Sequence, residues 1–224
     1  SYQSHVEFKT AAATLKKEGA IKLIIDVRDN PGGSLNAVVE ICDELLEKGK
    51  NIVYTKGEND RETYNSKDDG DFKDMDLVVL TNQNSASASE ILAGALQDND
   101  KAMIVGRRTF GKGLVQAVLK LNDNSRINLT ISRYYTPSGR CIQKPFEKDK
   151  LDLYLNEEIK RWENGELYSK DSIKVNDSLQ YTTLNGRTVY GGGGVIPDEF
   201  VGLDTSMNSN LLFDILAKDL IRNY

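Results

Sequence analysis

The chain has 224 residues, of which 39% are hydrophobic and 28% charged, a globular balance in a length that suits one large domain or two small ones. Its net charge is −5 and it holds no basic run or basic–aromatic stripe, which sets nucleic-acid binding aside. No stretch of about 18 apolar residues occurs, so no membrane-spanning helix is predicted, and no signal peptide is visible. The two cysteines, Cys42 and Cys141, do not settle the redox compartment.

The pattern opens on a helix. Ser4-His5-Val6-Glu7 reads as a capping box, followed by an apolar stripe of Phe8, Ala11, Ala12 and Leu15. A domain that starts this abruptly reads as a piece of a longer protein. Residues 21–27 form a short apolar run that suits a buried strand, broken by Asn30-Pro31-Gly32-Gly33. Leu35, Val38, Val39, Cys42, Leu45 and Leu46 then mark one face of a helix that is expected to end near Gly49, with Cys42 as a buried thiol. Strands are predicted at 51–55, 76–81 and 102–105, and a helix at 87–98. This alternation implies an α/β fold with a mainly parallel sheet covered by helices.

A different rhythm follows. Residues 114–121 and 126–134 are rich in β-forming residues and joined by Asn122-Asp123-Asn124-Ser125, which predicts an antiparallel hairpin. Residues 146–189 read as an insertion between 1–145 and 190–224, with a helix carried by Leu151, Tyr154, Leu155, Ile159 and Trp162 and stopped by Gly165. Residues 172–190 are polar and weakly patterned. Gly191 to Gly194 form a loop, and a helix is predicted at 211–221.

Two motifs carry chemistry. Ser87 lies in Asn84-Ser85-Ala86-Ser87-Ala88-Ser89-Glu90 at a predicted helix start, and Lys112 lies in Phe110-Gly111-Lys112-Gly113. A hydroxyl beside a helix N-terminus and a lysine in a glycine turn suit a nucleophile and its base. Ser87-x-x-Glu90 is equally a capping box, and local pattern does not choose among Ser85, Ser87 and Ser89. Gly111 and Gly113 permit backbone angles that place the lysine stem inward, although most lysines are solvated surface charges. The single histidine, His5, is poorly placed for a Ser-His-Asp triad. Gln116 follows Lys112 by four residues, so in a strand both would share a face. The Gly32-Gly33 turn either closes a βα unit or supplies an oxyanion N–H. Asp26 and Arg28 read as structural hydrogen-bonding residues, and no metal-ligand spacing occurs.

Asp26-Val27-Arg28-Asp29-Asn30-Pro31-Gly32-Gly33, Ser85-Ala86-Ser87-Ala88-Ser89-Glu90 and Thr109-Phe110-Gly111-Lys112-Gly113 with Gln116, in this order, resemble the carboxy-terminal processing (tail-specific) proteases. Tyr134-x-Thr136-Pro137-x-Gly139 and Gly194-x-Ile196-Pro197-Asp198 resemble that family's closing motifs. The resemblance implies a ClpP/crotonase-like β-β-α core and a serine endopeptidase that cleaves polypeptides near accessible C-terminal tails. It implies Ser87 as nucleophile, Lys112 as base, Gln116 as the residue that orients the lysine, and an oxyanion hole from Gly32 or Gly33 with Ala88. It implies no cofactor and no metal, and a periplasmic or other extracytoplasmic bacterial location. The family's usual PDZ domain is not found in the chain, and residues 146–189 match nothing familiar, so they are expected to serve as a lid, a partner surface or a dimer contact. Two rivals remain, a non-catalytic module that captures peptide tails and a crotonase-type acyl-CoA enzyme.

Overall fold

The computed structural model describes residues 3–146 and 151–204. The elements run α1 (Gln3–Lys17), β1 (Lys22–Asp26), α2 (Leu35–Leu45), β2 (Asn51–Lys56), β3 (Arg61–Asn65), β4 (Asp76–Thr81), α3 (Ala88–Asp98) and β5 (Ala102–Gly106). They continue with β6 (Leu114–Lys120), β7 (Arg126–Tyr135), α4 (Leu151–Leu155), α5 (Glu157–Glu163), β8 (Gln180–Thr182), β9 (Thr188–Tyr190) and β10 (Glu199–Phe200).

Two four-stranded sheets carry the fold, as expected for an α/β chain with a parallel core. The first has the order β1-β4-β5-β10 and every pair in it is parallel. The second, β3-β2-β7-β6, is antiparallel and contains the predicted hairpin. The strand at 51–56 therefore belongs to the antiparallel sheet and not to the parallel run, and β3, too polar to signal itself, pairs beside it. β1 is an edge strand of alternating exposure: Leu23 and Ile25 pack toward the core while Ile24 is 67% exposed, so the buried strand expected there is buried on one face only.

The core lies around α3, every residue of which is buried. Ile91, Leu92 and Leu96 meet Val38, Cys42 and Leu45 of α2, Leu77, Val79 and Ile104 of the parallel sheet, and Ile52 and Val53 of β2. A helix buried all round needs small residues and satisfied polar ones. Ala93, Gly94 and Ala95 supply the first: a Cβ on Gly94 would lie 2.7 Å from the Thr136 Cγ2. Gln97 and Asp98 are met by Arg140, whose Nη2 donates to both at 2.7 and 2.8 Å. Burial of the Cys42 thiol pushes its pKa up, in keeping with the buried thiol expected there.

Several boundaries differ from expectation. α1 begins at Gln3, which puts Ser4 inside the helix instead of at its cap. α2 is capped by Ser34 and stops at Leu45, four residues before Gly49. The helix expected around 151–162 is two short pieces, α4 and α5, with Asn156 between them, and Gly165 (φ 78) follows as the predicted stop. Of its apolar stripe, Ile159 is 54% and Trp162 56% exposed, whereas Arg161 is buried. The residue that turns inward is the one with polar partners beneath it. Farther on, the weakly patterned stretch holds the short β8–β9 hairpin, where Leu184 N donates to Asp98 O and Arg187 donates to Asp100, Asp198 and Gln97 O. The helix predicted at 211–221 lies outside the described residues. No helix among the described residues is long and apolar enough to cross a membrane.

Candidate active site

Three loops meet at the N-terminus of α3. The first, between β4 and α3, carries the three serines, and the structure separates them. The Ser85 hydroxyl is buried and donates to Val27 O at 2.7 Å, and the Ser89 hydroxyl donates to Asn30 O at 3.0 Å. Both are committed to the framework. The half-buried Ser87 hydroxyl donates to no group among the described residues. Ser87 sits at φ 57, ψ −115, a positive-φ conformation that L-residues avoid, at the entry to the helix.

The second loop is Asn30-Pro31-Gly32-Gly33. Asn30 O accepts from Ala86 N and from the Ser89 hydroxyl, tying this loop to the serine loop. Gly32 (φ 93) presses so close that a Cβ there would lie 2.5 Å from Ala86 O, 2.7 Å from Ala88 N and 2.9 Å from the Ser87 Cβ. Only glycine fits. The Gly32 N–H donates to Asn30 Oδ1 at 2.9 Å, while the Gly33 and Ala88 N–H groups make no hydrogen bond among the described residues.

The third loop, between β5 and β6, carries Lys112. Phe110 N donates to Ser85 O at 3.0 Å, so it too is laced to the serine loop. The decisive group is Glu90, fully buried on the first turn of α3. Its Oε1 accepts from the Thr109 hydroxyl at 2.5 Å and from Gly111 N at 2.7 Å. Its Oε2 accepts from Ser87 N at 2.9 Å and from Lys112 N at 2.7 Å. One carboxylate oxygen therefore holds the backbone of both half-buried residues, whose nitrogens are separated by no more than these two bonds laid end to end. Burial pushes the Glu90 carboxyl above its ordinary range, and the Thr109 hydroxyl and the Lys112, Gly111 and Ser87 N–H groups pull it back. The sequence marks Glu90 only as a helix cap; its reach to a turn about twenty residues on is a tertiary fact that capping logic does not contain.

Because all four acceptor positions are used, Glu90→Gln would turn an amide N–H toward two donors. It should cost about 1–3 kcal/mol in a denaturant titration and lower turnover as well. Parental stability in that variant would show that the clamp holds nothing.

No hydrogen bond joins Gln116 to Lys112 among the described residues; β6 starts at Leu114, after the lysine, its register shifts between Val115 and Gln116, and Gln116 is exposed. His5 is held on α1 by Glu40 and Glu44 of α2, each at 3.2 Å. Asp26 and Arg28 pair with each other at the exposed end of β1, Nη2 to Oδ2 at 2.7 Å. A cavity of about 260 Å³ opens beside Gly32, Gly33 and Ala88, walled by Phe8, Ile25, Val38, Ile41 and Leu92.

Residues 1–150 match peptidase family S41, and the chain belongs to that family. It is 39% identical over 138 residues to a probable CtpA-like serine protease of Staphylococcus aureus (strain bovine RF122 / ET3-1), covering 61% of this chain and 28% of the relative. It is 40% identical over 134 residues to the chloroplastic C-terminal processing peptidase of Tetradesmus obliquus, covering 60% of this chain and 29% of that one. Among solved structures, the photosystem II D1 C-terminal processing protease matches with a TM-score of 0.58 and 37% identity, over 63% of this chain and 36% of that chain. The chain thus spans less than a third of the length of these curated relatives.

Proposed function

We propose that the chain carries the catalytic core of a serine endopeptidase that cleaves polypeptides near their C-termini with a Ser87/Lys112 dyad. Ser87 Oγ attacks the scissile carbonyl. The unprotonated Lys112 amine takes the hydroxyl proton and delivers it to the leaving amine as the tetrahedral intermediate collapses. The Gly33 and Ala88 N–H groups receive the developing oxyanion, a task that leaves Gly32, with its N–H held by Asn30, to shape the turn. The observation that carries this reading is the shared Glu90 oxygen, which gathers the backbone of Ser87 and Lys112 into one site. The family and its C-terminal processing members support the substrate class. The same relationship supports an extracytoplasmic site of action.

The test is a digestion of denatured protein and of tail-bearing peptides, read by mass spectrometry, with the parent and Ser87→Ala. New C-termini from the parent alone are expected. Peptide binding without cleavage would replace the enzyme with a tail-capturing module, and hydrolysis confined to acyl thioesters would point to the acyl-CoA class.

A further inference from the structure

Glu90 holds only one side of the Lys112 turn. It takes the N–H groups of Gly111 and Lys112 and the Thr109 hydroxyl. Of the carbonyls in this turn, Gly111 O accepts from Lys144 N at 2.9 Å, and those of Thr109 and Phe110 are met by a group from the inserted segment. Arg161 of α5, its side chain 3% exposed, donates from Nη1 to Thr109 O at 2.7 Å and from Nη2 to Phe110 O at 3.2 Å.

The guanidinium is itself fixed. Its Nε donates to Glu157 Oε1 at 2.6 Å one helical turn earlier. Glu157 faces Lys144 Nζ at 3.4 Å, and that ammonium lies 3.9 Å from the centre of the Phe110 ring. Behind Arg161, Glu166 accepts from Nε and Nη2 of Arg108 at 2.6 Å each, and Arg108 Nη1 donates to Gly193 O. A guanidinium taken out of water is costly unless every donor finds a partner, and here two of its partners are carbonyls of the turn. Its rigid fork suits two adjacent carbonyls in a way an ammonium does not.

We propose that Arg161 is a positioning residue for Lys112. The inserted segment acts on the reaction by fixing the Thr109 and Phe110 carbonyls that lead into the lysine turn, and not as a cover over the site. The inference rests on the Ser87/Lys112 reading above. A turn held from both sides keeps the amine within reach of Ser87; released on one side it swings, and displacements of about 1 Å cost on the order of 10²-fold in rate.

The experiment compares the parent, Arg161→Gln and Arg161→Lys in steady-state cleavage of a quenched fluorescent peptide, with amide hydrogen exchange followed in parallel. Arg161→Gln should lower kcat by about 10² and leave KM within about twofold, since substrate contacts are untouched. Exchange should quicken at Gly111 and Lys112 and stay parental in β4 and β5. Arg161→Lys, which keeps the charge and loses the fork, should recover part of kcat at the same KM, and it carries the comparison if the glutamine variant does not fold. Parental kcat in both variants, a rise in KM alone, or loss of protection across the whole parallel sheet would each overturn the positioning role while the dyad stands. A parent whose cleavage survives Ser87→Ala overturns the dyad, and this inference with it.

Discussion

Ser87→Gly is expected to yield a protein that is inactive and more stable than its parent. The hydroxyl is the proposed nucleophile, so its loss should remove about 10⁶ of turnover. The stability gain has a separate origin. A non-glycine residue at φ 57, ψ −115 holds strain of order 1–3 kcal/mol, which glycine does not feel. Loss of a serine at the helix start offsets only a few tenths of a kcal/mol when glycine replaces it. Ser87→Ala should be equally dead without the gain, because alanine keeps the strain. Ser85→Ala should do the reverse: its hydroxyl spans Val27 O and Asn82 N in the core, so its removal weakens the fold while the nucleophile stays in place. Calorimetry and turnover on the three variants decide the matter. An active Ser87→Ala, or a Ser87→Gly less stable than Ser87→Ala, contradicts the assignment.

Lys112→Ala should lower kcat/KM by about 10²–10⁴, the range of a positioned general base. Lys112→Arg should be no better, since a guanidinium stays protonated and cannot accept the Ser87 proton. Two controls bound the claim. His5→Ala should keep the parental rate, its ring being held by Glu40 and Glu44. Gln116→Ala should stay near the parental rate, as an exposed residue beyond a strand irregularity. The double variant Ser87→Ala/Lys112→Ala should lose no more than Ser87→Ala, because members of one catalytic unit are not additive. An active Lys112→Arg enzyme would refute the base.

What the sequence made legible follows from range. The helix at 87–98, the 76–81 and 102–105 strands and the 114–134 hairpin declare themselves from local pattern, and they stand where expected. The site motifs were legible because each is a short loop at the end of a strand or the start of a helix. What stayed hidden depends on distant partners. Nothing in 51–55 says which sheet it joins, since pairing with β7 is set some eighty residues later. The stripe of Ile159 and Trp162 looked inward-facing on periodicity, yet the carbonyls of Thr109 and Phe110 and the carboxylate of Glu157 gave Arg161 the stronger claim on that side. The register shift beside Gln116 is one irregular residue pair, which alternation alone cannot foresee.

The single Glu90 oxygen between Ser87 N and Lys112 N has a mechanical consequence. Were the two loops anchored separately, the gap between hydroxyl and amine would fluctuate with the sum of two independent motions. Hung from one pivot, the loops travel together, and the gap feels only the difference between two nearly equal displacements. The rest of the molecule can then breathe around the site, and the distance on which proton transfer depends stays quieter than either loop that defines it.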